Sequence, residues 1–270
     1  MKNELGKFLT VACTTAKEAG AILREGFGDA LQIEFKGPVD LVTQYDRRSE
    51  EHIISRLRAL FPKHSLRAEE SGVTTGNEKS SFEWLVDPLD GTTNFAHGFP
   101  FFAVSIALLK SNQPIVAAVF DPIRDELFAA IRGSHATLNG VPIQVSTIAH
   151  LDKSLMATGF PYDVRTHARN NLAEFNRIAL QAQGVRRAGA AALDLCYTAC
   201  GRLDGFWELR LHPWDMAAGG LIVQAAGGKV TDITGENNWL NDSSIAASNG
   251  RIHAEMLTAL SDGRGPRPVP

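Results

Sequence analysis

Residues 84–95 read Trp84-Leu85-Val86-Asp87-Pro88-Leu89-Asp90-Gly91-Thr92-Thr93-Asn94-Phe95. Trp84, Leu85 and Val86 have the character of a buried strand. Pro88 has no N–H to give to a ladder, so the strand is predicted to stop there. Asp87, Asp90 and the free carbonyl of Leu89 then leave a sheet edge on a stiff turn and can point at one spot. They are hard oxygen donors, which suit Mg²⁺, Mn²⁺ or Ca²⁺ and not a soft-ligand metal. Gly91-Thr92-Thr93 leaves backbone N–H groups free at a helix start, a place for phosphate. Metal ligands beside a phosphate cradle imply metal-assisted phosphoryl chemistry. The competing reading is a capped turn, because Asp-Pro and Asp-Gly are ordinary turn signals.

Upstream, Leu5, Phe8, Leu9, Ala12, Ala16, Ala19 and Leu23 recur at helical spacing over residues 3–26. Residues 29–42 read as strand and loop around Lys36-Gly37-Pro38. A second helix is predicted over 43–60, closed by Pro62, and a short strand over 65–68 exits through Glu69 and Glu70. Downstream, strands are predicted over 101–109, 114–120 and 126–131, with a hairpin turn at Asn139-Gly140. The second half adds strands over 154–159, 206–208, 229–232 and 244–248. Its helices are predicted over 166–183, 190–199, 214–226 and 251–261. The elements make a mixed α+β chain. Residues 1–150 are expected to form one α+β lobe with most of the acidic candidates. Residues 151–262 should form an α/β lobe of the same compact unit, and 263–270 a disordered tail.

The 270 residues are 44% hydrophobic and 21% charged, an ordinary globular composition. A net charge of −3 gives no basic footprint for nucleic acid and no polybasic stretch for a membrane surface. No apolar run has the length of a membrane span, and the N-terminal residues lack the apolar core of a signal peptide. The three cysteines make no disulfide framework, and Cys196 and Cys200 lack a nearby third ligand for zinc. Free thiols in a reducing cytoplasm are the expectation.

Four acids are the candidates that matter: Glu69, Asp87, Asp90 and Asp215. Asp215 also fits a helix cap after His212-Pro213-Trp214, and Glu69-Glu70 also fits a solvated pair. His97, His135 and His212 are candidate acids by residue type, with surface or structural roles as the alternative.

These residues resemble a known family. Residues 84–95 resemble the first signature of the inositol monophosphatase family, and 214–228, from Trp214-Asp215-Met216 to Gly227-Gly228, resemble its second. The likeness runs to about residue 260. It is strongest toward the bacterial SuhB-type members through 186–194, Arg186-Arg187 to Leu193-Asp194, and Gly205-Phe206-Trp207-Glu208.

The resemblance implies a layered αβαβα sandwich of the sugar-phosphatase type, shared with fructose-1,6-bisphosphatase. It implies two or three Mg²⁺ per site. Glu69, Asp87 and the Leu89 carbonyl would hold one, and Asp87, Asp90 and Asp215 a second. Gly91 and Thr92 would bind phosphate, while Thr92, oriented by Asp46, and Glu69 would position and activate the attacking water. Arg186, Gly189, Ala191, Glu208 and Asp215 would face the substrate, and Lys36 would lie in a loop over the metals. Gly189-Ala190 departs from the Gly-Ser or Gly-Thr of many relatives, which bears on substrate detail and not on catalysis.

The implied activity is hydrolysis of inositol monophosphates by a lithium-sensitive, cytoplasmic homodimer. Histidinol phosphatase, fructose-1,6-bisphosphatase and nucleotide 3′-phosphatase activities are the alternatives within the fold. A different reading is a SuhB-like regulatory partner of the transcription machinery, touching a protein and not nucleic acid.

Overall fold

The computed structural model describes residues 2–29, 33–35, 41–74 and 80–261. Lys36 and the tail 263–270 lie outside these residues. The chain begins with α1 (Lys2–Gly26), β1 (Ile33–Phe35), β2 (Leu41–Thr43) and α2 (Gln44–Leu60). Next come β3 (Ser65–Ala68), β4 (Gly72–Thr74), β5 (Phe82–Asp90), α3 (Thr92–Ala96), β6 (Ala103–Lys110), β7 (Gln113–Asp121), β8 (Glu126–Ile131), β9 (Thr137–Leu138) and β10 (Val141–Pro142). The second half holds β11 (Leu155–Thr158), α4 (Leu172–Ala179), β12 (Gly184–Arg186), α5 (Ala191–Ala199), β13 (Gly205–Leu209) and α6 (Pro213–Ala225). It ends with β14 (Lys229–Thr231), α7 (Trp239–Asp242), β15 (Ser244–Ser248) and α8 (His253–Leu260).

Among the described residues, one eight-stranded sheet has the order β10-β9-β8-β7-β6-β5-β3-β4, and a five-stranded sheet the order β12-β11-β13-β15-β14. In the larger sheet β3 runs parallel to β5 and every other neighbour is antiparallel. In the smaller one β12, β11 and β13 are parallel.

Side-chain alternation on these strands explains the layering. Trp84 and Val86 pack with Phe8, Ala12, Ala16, Ala19 and Leu23 of α1 and Ile53 and Leu57 of α2. Leu85, between them, turns to the other face and packs with Leu193 of α5 and Leu221 of α6. On β13, Phe206 joins that middle core, while Trp207 joins Ile178 of α4 and Met256 of α8. The layers are therefore α1 and α2, the large sheet, α5 and α6, the small sheet, and α4 and α8. The three cores between them are apolar on both faces of each sheet, so burial, not the sheet ladder alone, fixes the order of layers.

Two predictions are corrected. The strand does not stop at Pro88 but continues to Asp90. Asp87 pairs with Ser105 and Asp90 with Ala103, so three steps on β5 oppose two on β6. The extra residue is a bulge, where the proline's missing N–H costs no ladder bond. Its carbonyl accepts from Ser49 Oγ at 2.8 Å. The helix expected over 166–183 is only Leu172–Ala179. Asn171 takes a left-handed conformation (φ 69°), which no preceding helical turn can share. The short β12 and α7 were not anticipated.

His253 shows how the small sheet is pinned. Thr231 Oγ1 donates to the carbonyl of Asp232 (2.7 Å), so it accepts from His253 Nε2–H at 3.0 Å. Nδ1 then accepts from Ser248 Oγ at 2.8 Å, which assigns the neutral ring with its proton on Nε2. Burial, and next the charge of Lys229, push the His253 pKa down to about 4. A depressed pKa contributes stability that is whole above the unfolded value of about 6.5 and is lost as pH falls toward 4. His253→Gln should cost about 1–2 kcal/mol at neutral pH. The stability gap to wild type should close between pH 6.5 and 4, read by urea unfolding at each pH. A gap that stays constant over that range would contradict the assignment.

Candidate active site

The acids gather because three element ends meet. β3 and β5 are parallel neighbours, so Glu69, just past the end of β3, lies beside Asp87 of β5, and Glu69 N donates to the carbonyl of Val86 at 3.2 Å. Ser105, opposite Asp87 across the ladder, donates through Oγ to the carbonyl of Trp214 at 3.2 Å. That bond ties the start of α6, and with it Asp215, to the β5 bulge. The turn bearing Glu69 is braced from behind. Glu50, buried on α2, accepts from the N–H groups of Glu70 (2.8 Å) and Ser71 (2.9 Å).

Each aspartate rests on backbone donors. Leu89 N donates to Asp87 Oδ1 at 3.0 Å, and His212 N donates to Asp215 Oδ2 at 2.7 Å. Asp215 is thus in the first turn of α6, and its carboxylate caps back to His212. Asp90 reaches furthest. It accepts from Ala191 N (3.2 Å) and Ala192 N (2.7 Å), the first donors of α5. The capping position of α5 is Ala190, whose side chain supplies no bond, so Asp90 caps that helix from across the molecule. This role left no signal in the sequence.

The electrostatics follow from crowding. Burial, then the charges of Glu69, Asp90 and Asp215, push the Asp87 carboxyl well above the usual carboxylate range. Burial, then Glu69, does the same at Asp215. Burial raises Asp90 to about 7 against the pull of the α5 N–H groups. What holds these groups down is backbone N–H: Leu89 at Asp87, Ala191 to Leu193 at Asp90 and His212 at Asp215. An all-oxygen donor set with excess negative charge fits a hard divalent cation. The carboxylates are neighbours and not a closed ligand set: among the described residues no three acidic, histidine or cysteine side chains are gathered tightly enough to hold an ion as they stand.

Thr92 and Asp46 form a second feature. Thr43 N and Oγ1 both donate to Asp46 Oδ2 (2.8 and 2.6 Å), closing the N-terminal cap of α2. The other oxygen, Oδ1, receives Thr92 Oγ1 at 2.9 Å, and the same hydroxyl lies 3.0 Å from the Leu89 carbonyl. The Thr92 proton is committed to these acceptors, so its lone pairs face elsewhere and can accept. Gly91, at φ 92°, lets the chain turn there. A Cβ on Gly91 would meet the carbonyl oxygens of Phe101 (3.1 Å) and Gly189 (3.2 Å). Asn94 Nδ2 bonds the Phe101 and Ala188 carbonyls at 2.7 and 2.8 Å, holding the two halves together there.

A model of the inositol monophosphatase family matches residues 4–264. The chain belongs to this family. It is 47% identical over 260 residues to a Synechocystis protein named inositol-1-monophosphatase, covering 96% of this chain and 90% of that one. It is 42% identical over 256 residues to the Nus factor SuhB of Escherichia coli, covering 94% of this chain and 96% of that one. The structure is similar to that of inositol monophosphatase from Anabaena, with a TM-score of 0.88 and 43% identity, over 97% of this chain and 98% of that one. The layered α+β fold is the family's, and the protein is a phosphatase of this family.

The remaining candidates of this inositol monophosphatase family member lie on several elements. Glu208, on β13, is 8% exposed and faces the middle layer. Burial, then the charge of Asp90, push its pKa up to about 8, opposed by Arg187. Gly189 and Ala191 flank the start of α5. Arg186 ends the edge strand β12, is exposed, and among the described residues its guanidinium bonds only the carbonyl of Val185 (3.4 Å). His97 and His135 are exposed, and His212 stacks on Trp214 with ring centres 4.7 Å apart. Asp194, one turn along α5, is buried and pushed well up by burial, then by Glu208 and Asp90. All three cysteines are free.

Proposed function

We propose that this phosphatase hydrolyses inositol monophosphates to inositol and phosphate in a Mg²⁺-dependent reaction. The observation that supports it most is the meeting of Glu69, Asp87, Asp90 and Asp215 beside the Thr92–Asp46 pair. In this reading Glu69, Asp87, the Leu89 carbonyl, Asp90 and Asp215 hold two Mg²⁺, with a third leaning on Glu69. When bound, Mg²⁺ neutralises the phosphate dianion, lowers the pKa of water and stabilises the leaving alkoxide. The residues do the rest. Asp46 fixes the Thr92 hydroxyl, whose free lone pairs orient the attacking water, and Glu69 accepts its proton. Gly91 and Thr92 N–H groups bind the phosphate oxygens, and Arg186, Gly189, Ala191, Glu208 and Asp215 face the substrate.

Glu208 should choose the substrate more than drive the chemistry. Its carboxyl is buried within reach of the Asp90 charge and can bond two hydroxyls of a polyol. Losing two hydrogen bonds of this kind costs about 1–3 kcal/mol. Glu208→Gln should therefore raise KM for inositol 1-phosphate roughly ten- to a hundredfold. Turnover of glycerol 2-phosphate should change little. Equal losses on both esters would assign Glu208 to the metals or the fold and remove the residue-level support for inositol.

The chain is read as a cytoplasmic, Li⁺-sensitive homodimer, with residues 1–150 and 151–262 as two lobes of one compact unit. Among the described residues no helix is long and apolar enough to cross a membrane. A second reading is supported by the relatives named Nus factor SuhB at 42% identity. The chain would then also bind a protein of the transcription machinery, consistent with a net charge of −3 that disfavours direct RNA contact. Pull-down with purified transcription factors separates this role from catalysis, and a panel of histidinol, fructose-1,6-bis- and nucleotide 3′-phosphates separates the enzymes.

A further inference from the structure

We propose that Gly159 and Asn171 set the substrate specificity of this phosphatase by fixing where the Glu208 carboxylate sits. The inference rests on the reading of Glu208 as the contact to a polyol's hydroxyls. β11 and β13 are parallel neighbours with Thr158 beside Trp207, so the next residues, Gly159 and Glu208, lie side by side. A Cβ built on Gly159 would fall 2.2 Å from Glu208 Oε2 and 2.3 Å from both Cδ and Oε1. Real side chains do not approach that closely. The backbone of Gly159 is outside the left-handed region that calls for glycine. A side chain on Gly159 would therefore displace the Glu208 carboxylate, the end of a flexible side chain that at 8% exposure has little open space to move into.

Asn171 locks both neighbours of that carboxylate. Its side chain is fully buried, 13 residues beyond Thr158. Nδ2 donates to Thr158 Oγ1 (2.8 Å) and to the carbonyl of Gly159 (2.6 Å). Oδ1 accepts from Trp207 Nε1 at 2.8 Å, and Thr158 Oγ1 donates to the Trp207 carbonyl at 2.6 Å. One amide thus joins Gly159 to the residue before Glu208, spending both donors and its acceptor on the task. The segment 160–170 must leave and return at this clamp. It is held a second time by the ion pair of Asp163 with Arg210, two residues beyond Glu208. Segment 160–170 is thus anchored beside Glu208 at two points, so the place of the carboxylate should matter to a rigid polyol and little to a small, flexible ester.

The test is a set of KM and kcat measurements on inositol 1-phosphate and glycerol 2-phosphate. Gly159→Ala should raise KM for the inositol ester by about tenfold or more, with kcat on glycerol 2-phosphate within about twofold of wild type. In the Glu208→Ala background the new methyl has nothing to displace, so Gly159→Ala should add no further loss, a non-additivity that a general packing defect does not produce. Asp163→Ala, at a half-exposed ion pair, should loosen segment 160–170 and raise KM several-fold for the inositol ester alone. It carries the test if Gly159→Ala fails to fold. Equal losses from Gly159→Ala in both backgrounds, or on both esters, would overturn the inference. So would unchanged KM in Asp163→Ala where Gly159→Ala does not fold. A wild type with no preference for the inositol ester would overturn the reading of Glu208 and this inference with it. A preference that survives Gly159→Ala would overturn this inference alone.

Discussion

Asp90→Asn should lower phosphate release from inositol 1-phosphate by about a hundredfold or more at limiting Mg²⁺, with part of the loss recovered at high Mg²⁺. The substitution keeps size and removes a charged oxygen from the proposed ligand set. It also disturbs α5, because the two carboxylate oxygens accept from Ala191 N and Ala192 N. An asparagine can accept one of those bonds, and its NH₂ group then faces the other donor. The protein should lose about 1–2 kcal/mol of stability as well. Urea unfolding without Mg²⁺ reads the second effect, and activity across a Mg²⁺ titration reads the first. Full turnover at limiting Mg²⁺ would remove Asp90 from the ligand set, whatever the stability change.

Thr92→Val should lower kcat by about a hundred- to a thousandfold while KM stays within a few-fold. Valine matches the shape but has no hydroxyl, so in the proposed mechanism the attacking water loses its acceptor. Asp46 keeps Thr43 N and Oγ1 on Oδ2 and loses the donor on Oδ1. Asp46→Asn reaches the same end by another route. The cap at Thr43 needs an acceptor, so the amide NH₂ is left facing Thr92 and reverses the direction of that bond. Both variants should bind Mg²⁺ as wild type does by calorimetry. A loss confined to KM would place Thr92 in substrate binding only.

Much of this was legible in the residues, for reasons that differ by element. The apolar stripe from Phe8 to Leu23 and the run from Ile53 to Leu57 have helical spacing, and both helices form where expected. The candidate acids stood out because Asp87 and Asp90 flank a proline in a signature stretch. The layering was hidden. Trp84, Leu85 and Val86 are all apolar, yet they serve two different cores, and a strand buried on both faces gives no alternation to read. The β5 bulge was hidden because Pro88 signals both a stop and a bulge. Long-range caps were hidden most completely. Asp90 satisfies α5 from 101 residues away, and Asn171 holds Trp207 from 36 residues away. Neither bond has a local sequence signature. The helix expected from residue 166 began only at 172, since Asn171 is left-handed and its side chain is engaged in the sheet.

Four acids and the Thr92–Asp46 pair are proposed to hydrolyse a phosphate ester with the help of a hard divalent cation. The direct measurement is phosphate release from inositol 1-phosphate by EDTA-stripped protein as Mg²⁺ is added, repeated with Li⁺ present. The account predicts no turnover without Mg²⁺, a rise that saturates on addition, and inhibition by millimolar Li⁺. Undiminished release from the stripped protein in EDTA would contradict it.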